Sequence, residues 1–132
     1  MDVSKSRDIA LLLLRLVFGG AMIYGHGWGK LMRLLGDDPV KFGDPLGLGP
    51  ELSFYLVIFA EVVCALLIII GLFTRWATVP LIIAMFVAFF FVHLDDPFGK
   101  MEKPLMYMAA YISLLLMGPG WYSLDEQMRN RT

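Results

Sequence analysis

Residues 52–73 read LSFYLVIFAEVVCALLIIIGLF, an apolar run whose one charge, Glu61, falls near its centre. A transmembrane helix needs about 20 predominantly apolar residues, and a run of this length with a single carboxylate meets that need. The N-terminal run, Ile9 to Gly25, repeats the arrangement with the opposite sign, because Arg15 lies near its middle. A charge at the bilayer centre costs roughly 2.5–3.5 kcal/mol even on lenient insertion scales, so such side chains face the bundle interior and find partners. The helical rise places the two at similar depth, within reach of an arginine side chain. Arg15 and Glu61 are therefore expected to meet between the first two helices, either as a reactive site or as a structural ion pair that fixes which helix faces which.

Two more runs, Trp76 to Val92 and Pro104 to Tyr122, complete the pattern. The expected fold is all-α: a single-domain integral membrane four-helix bundle with helices at about 8–26, 52–73, 76–93 and 103–120. Composition agrees, since 58% hydrophobic and 17% charged residues lie outside the usual range of a soluble domain. Arg15 and the absence of a small-x-small cleavage pattern argue against reading the first run as a signal peptide. Between the first two helices, Leu34 to Pro50 is too rich in Gly and Pro for regular helix and is expected to fold over the bundle as a lid.

Alternating helices put both termini and the Thr74-Arg75 turn at one end, with His26, Lys30, His93, Glu102 and Lys103 around a polar mouth at the other. Lys and Arg divide evenly between the two ends, so the positive-inside rule gives no orientation. The tight turn and basic termini favour termini in the cytoplasm. On the first helix Arg15, Gly19, Met22 and His26 share one stripe running from mid-depth to the mouth. Tyr107 and Tyr111 form an i, i+4 pair on the fourth helix.

His26, His93 and Glu102 are the candidate metal ligands, but they lack close ligand spacing, and no metal is expected. Cys64 is the sole cysteine, which excludes an intrachain disulfide and a CxxC pair. It reads as a packing residue. A net charge of −1 with scattered basic residues excludes a nucleic-acid surface. Haem-attachment, flavin and iron–sulfur patterns are absent.

Arg15, the stretch Gly25-His26-Gly27-Trp28-Gly29-Lys30-Leu31, Glu61, Gly71-Leu72-Phe73-Thr74-Arg75, Glu102 and the closing Gly118-Pro119-Gly120-Trp121-Tyr122-Ser123-Leu124-Asp125 together resemble the DoxX family of small bacterial membrane proteins. The resemblance covers about residues 7 to 126. It implies a four-helix bundle in the bacterial inner membrane and, for some members, sulfur or thiol oxidation coupled to quinone beside partner proteins. A quinone head group needs donors to its carbonyls and a proton route. Arg15, His26 and Glu61 are the candidate catalytic residues, and Tyr107, Tyr111 and Glu102 join them as candidate quinone-binding residues. Any electrons would come from a protein partner or a bound cofactor.

Three readings stay open. The first is a quinone- or thiol-linked subunit of a membrane oxidoreductase. The second is a non-enzymatic scaffold, docking a protein partner or a second copy in the bilayer, whose buried charges are structural. A minimal solute or proton transporter comes last, because four short helices leave little room for alternating access.

Overall fold

Residues 2–132 are described in a computed structural model, and no strand occurs among them. Long apolar segments without internal Gly/Pro clusters become helix because a membrane offers the backbone no other hydrogen-bond partners. Five helices result. We label them α1 (Val3–Leu35), α2 (Pro50–Ile70), α3 (Thr74–Val92), α4 (Phe98–Met117) and α5 (Leu124–Arg129). The first three are each long and apolar enough to cross a membrane. The fourth begins with Lys100, Glu102 and Lys103 and is apolar from Pro104 onward.

The helix count and several ends differ from expectation. The first helix does not stop at His26 but runs on to Leu35, because Ile23–Gly27 adopts a π-helical turn that carries the glycine cluster without breaking the rod. Gly27 is used for contact: a Cβ there would lie 2.8 Å from the Glu61 carbonyl oxygen. The second helix ends at Ile70 rather than Phe73. Gly71, at φ +74°, closes it in a Schellman arrangement, with Gly71 N–H donating to Ile68 O and Leu72 N–H to Leu67 O. The fifth, short helix starts where Ser123 accepts from the Glu126 N–H at 3.2 Å, a side-chain cap.

α1 packs along the C-terminal half of α2, and α3 lies against α4. Leu11, Met22, Cys64, Ile68, Leu81 and Leu114 belong to the shared core. Tyr111, fully buried on α4, ties the two pairs together by donating to the Phe18 carbonyl at 3.0 Å. Large apolar side chains such as Tyr24, Trp76 and Leu116 remain exposed around the outside. In a chain with three membrane-length helices, that surface faces lipid.

Arg15 does not pair with Glu61. Its guanidinium, 2% exposed, donates instead to four backbone carbonyls: Ile68 at 3.0 Å, Ile69 at 3.1 Å, and Pro119 and Tyr122 at 2.9 Å each. The cause is the register of the antiparallel pair. α2 runs out opposite Arg15, so the charge meets the carbonyls of a helix C-terminus, Ile69 O and an Ile68 O that Gly71 N–H also reaches, where a cation is also favoured by the macrodipole. Asp125 completes this junction from the other side. Its carboxylate accepts from the Phe73 and Thr74 N–H groups at 2.7 and 2.9 Å, and its own N–H donates to Gly71 O at 2.8 Å. This cap starts α3 at Thr74, two residues before Trp76, and holds Phe73 at φ 49°.

Arg15→Leu strands carbonyls that a charged donor now satisfies and is expected to destabilise the fold by about 3 kcal/mol or more. Arg15→Lys should rescue little, since one ammonium cannot span four acceptors in a planar fork. Denaturant titration in detergent measures both, and a Leu variant as stable as the parent would refute the account. Asp125→Ala removes a helix cap and should cost about 1–2 kcal/mol in the same titration, with faster proteolysis of the 71–75 turn as a second readout.

Candidate functional site

Three π-helical turns interrupt the spans: Ile23–Gly27 in α1, Phe59–Cys64 at the middle of α2 and Ala88–Val92 at the end of α3. Such turns insert a residue into a helix and re-aim side chains, often at functional sites. The first carries His26 and the second Glu61. Gly27 lets the two helices touch at this level, which brings the next turn of α1 over the carboxylate.

Glu61, 5% exposed, is paired with Lys30: Nζ lies 2.8 Å from Oε2. The ammonium also reaches the His26 carbonyl at 3.5 Å. Helical side chains lean toward the helix N-terminus, so Lys30 reaches back down α1 to the carboxylate. Beside the pair, the rings of His26 and Tyr107 meet edge to face with centroids 5.6 Å apart, and Tyr107 stacks with Tyr111 at 6.0 Å. The Tyr111 hydroxyl is already committed to Phe18. Tyr107 has no hydrogen bond of this kind among the described residues.

These groups form the polar end of a cavity of about 710 Å³. Its walls are mainly apolar, with Leu56, Phe59, Ile83 and Val87 along the spans and Phe42, Leu46 and Leu48 from residues 36–49, which form no regular element. Asp44 ties that segment to the start of α2 by accepting from Gly49 N–H at 3.1 Å and Ser53 Oγ at 3.3 Å, while Phe42 packs on Phe54. Arg33 lies over the Phe54 ring at 5.3 Å and donates to the Lys41 carbonyl. The volume lies in the range of about 300–1,000 Å³ usual for small-molecule sites.

The sequence-predicted residues therefore divide. His26, Glu61 and Tyr107 come together at the cavity. Arg15 lies in the junction at the other end, and Tyr111 is a buried tie. Glu102 is exposed and does not line the cavity; His93 lines it, with Nδ1 2.7 Å from an Asp96 carboxylate oxygen. Among the described residues, no three His, Cys, Asp or Glu side chains are grouped to hold a metal ion. Cys64 is buried in the core. A second cavity, of about 540 Å³, opens near the termini, but its acidic groups are engaged: Asp8 accepts from Trp121 N–H and Asp125 caps α3.

Lys30 is the residue that sequence reasoning missed. It is the next member of the Arg15, Gly19, Met22, His26 stripe, four residues beyond His26. Ending the helix at His26 left it among the general charges of the mouth. The π turns had no sequence signal.

The chain is 28% identical over 94 residues to a protein of Haemophilus influenzae described as uncharacterized, a match covering 67% of this chain and 62% of that protein. A second protein of the same organism and description is 27% identical over 134 residues, covering 96% of each. The chain thus spans less than two thirds of the first relative and nearly all of the second. No solved structure matches it. The DoxX family model matches residues 10–94, from the run that holds Arg15 through the Lys30–Glu61 pair to the end of α3. This membrane protein belongs to the DoxX family.

Proposed function

We propose that the protein is a quinone-handling subunit of a redox assembly in the bacterial inner membrane, with four spans and both termini in the cytoplasm. The fourth span is α4, whose basic first turns can extend to the interface while Pro104 to Met117 lies in hydrocarbon. The observation that carries the proposal is the buried Lys30–Glu61 pair beside His26 and Tyr107 at the polar end of an apolar cavity. A quinone head group is a flat apolar ring with two carbonyl acceptors, and this set of residues fits it. Lys30 and the Tyr107 hydroxyl would donate to a carbonyl oxygen. The apolar walls would exclude water from the ring.

When bound, a quinone supplies two-electron, two-proton chemistry, and a redox centre in a protein partner would exchange the electrons. The chain's own task is binding and proton handling. Glu61 holds or releases a proton within reach of Lys30, and His26 stands on the side of the mouth. Separating the ion pair when an acceptor draws Lys30 away would leave the carboxylate buried alone, a state relieved by taking up a proton.

A second reading, a membrane scaffold, is favoured by the Arg15 and Asp125 junction, where two intramembrane or interfacial charges serve backbone structure. In it Lys30 and Glu61 only hold α1 against α2. Lys30→Met, Glu61→Gln and the Lys30→Met/Glu61→Leu double variant separate the two. Each single variant leaves or removes half of the pair, and Lys30→Met should destabilise by about 3 kcal/mol or more. The double variant should regain stability. In the quinone reading it nevertheless binds quinone at least tenfold more weakly than the parent, measured in nanodiscs; parental binding by the double variant would refute that reading.

A further inference from the structure

Resting on that reading of the cavity, we infer that its ligand is loaded sideways from the bilayer, through a cleft between α2 and α3 that holds the ligand's isoprenoid or alkyl tail. α3 packs on α2 mainly through Phe59–Cys64 and Ala65–Ile70, whereas Pro50–Ile58 packs instead against Trp28–Leu35 of α1. The two helices therefore part in the half that contains the cavity. Leu56, Phe59 and Ile83 stand on the rims of the gap: all three line the cavity, yet they are 48%, 48% and 55% exposed.

The depth of the gap decides what can enter. Phe59 and Ile83 each lie near the middle of their spans, Pro50–Ile70 and Thr74–Val92. An opening at mid-depth faces hydrocarbon, so a ligand passing it must dissolve in lipid. On the mouth side, Phe42 and Leu46 cover the cavity from a segment that Asp44 fastens to α2. A volume of about 710 Å³ suits a head group and the start of a tail, with the rest of a long tail continuing through the gap into the bilayer.

The test compares two probes with the same dimethoxy-methyl-benzoquinone ring, one bearing a decyl tail and one without a tail. Protein in phosphatidylcholine nanodiscs is equilibrated with each, and retained quinone is quantified against empty nanodiscs to remove partitioning. The tailed probe should be held at least tenfold more tightly per molecule in the membrane. Ile83→Trp and Ala84→Phe, which narrow the gap from α3, should each weaken it at least fivefold, whereas Leu116→Trp on the lipid-facing side of α4 should not. Equal retention of both probes overturns sideways loading and leaves the head-group site standing, as does parental retention by both narrowing variants. Retention of neither probe overturns the head-group reading and this inference with it. A cross-linked dimer that Ile83→Trp abolishes would assign the gap to a second copy of the chain and overturn the inference.

Discussion

One guanidinium shared among four carbonyls sets the frame of this protein. Arg15 collects two C-terminal carbonyls of α2 and two more from the turn after α4, so one charged group on α1 joins two distant stretches of chain to it. In a low-dielectric interior an unpaired charge would be intolerable, and four acceptors make it tolerable. The same geometry explains the residues around it. Gly71 has no room for a side chain, because a Cβ would lie 2.5 Å from the Ser123 Cβ and 3.0 Å from the Arg15 guanidinium. Asp125 then reaches across to start α3, so the turn after α2 is held from both sides.

Fixing the bundle at one end leaves the other end free to differ. Away from Arg15, three helices adopt π turns and a cavity opens beside the Lys30–Glu61 pair. The two charged centres have opposite characters. Arg15 is held by four backbone carbonyls fixed in the chain's own turns and helix end. Lys30 and Glu61 hold each other through one contact at 2.8 Å, and both border a space large enough for a ligand. A group that can exchange its partner for a ligand is suited to chemistry; one that cannot is suited to architecture.

The sequence made the apolar spans legible because their length answers directly to bilayer thickness. It also showed that Arg15 and Glu61 must be satisfied internally. What it could not show was register. Taking each charge to sit at the centre of its own run made the two seem level, but α1 extends twelve residues below Arg15 and twenty above it. The true partner of Glu61 is the next step of the His26 stripe, but the Gly-rich stretch that carries it reads as a helix end. In water Gly25, Gly27 and Gly29 would weaken a helix. In a membrane the backbone has no alternative partners, so the helix continues and Gly27 serves as a contact point. The role of Asp125 depended on a long-range approach between residues 71–74 and 118–125 that no local pattern encodes.

The closing Gly-x-Gly-x-x-Ser-Leu-Asp element thereby acquires a physical meaning independent of any reaction. Gly118 and Gly120 take positive φ, letting the chain turn back so that the Pro119 and Tyr122 carbonyls face Arg15. Ser123 caps the short helix that carries Asp125 to the start of α3. A motif built this way preserves a fold rather than a chemistry. The family match over residues 10–94 takes in Arg15 and the Lys30–Glu61 pair but not this element, so membership by itself does not separate frame from site. Around the cavity, Lys30, Glu61, His26 and Tyr107 combine a buried ion pair with facing aromatic rings, and they share no hydrogen bond with the Arg15 junction that holds the helices.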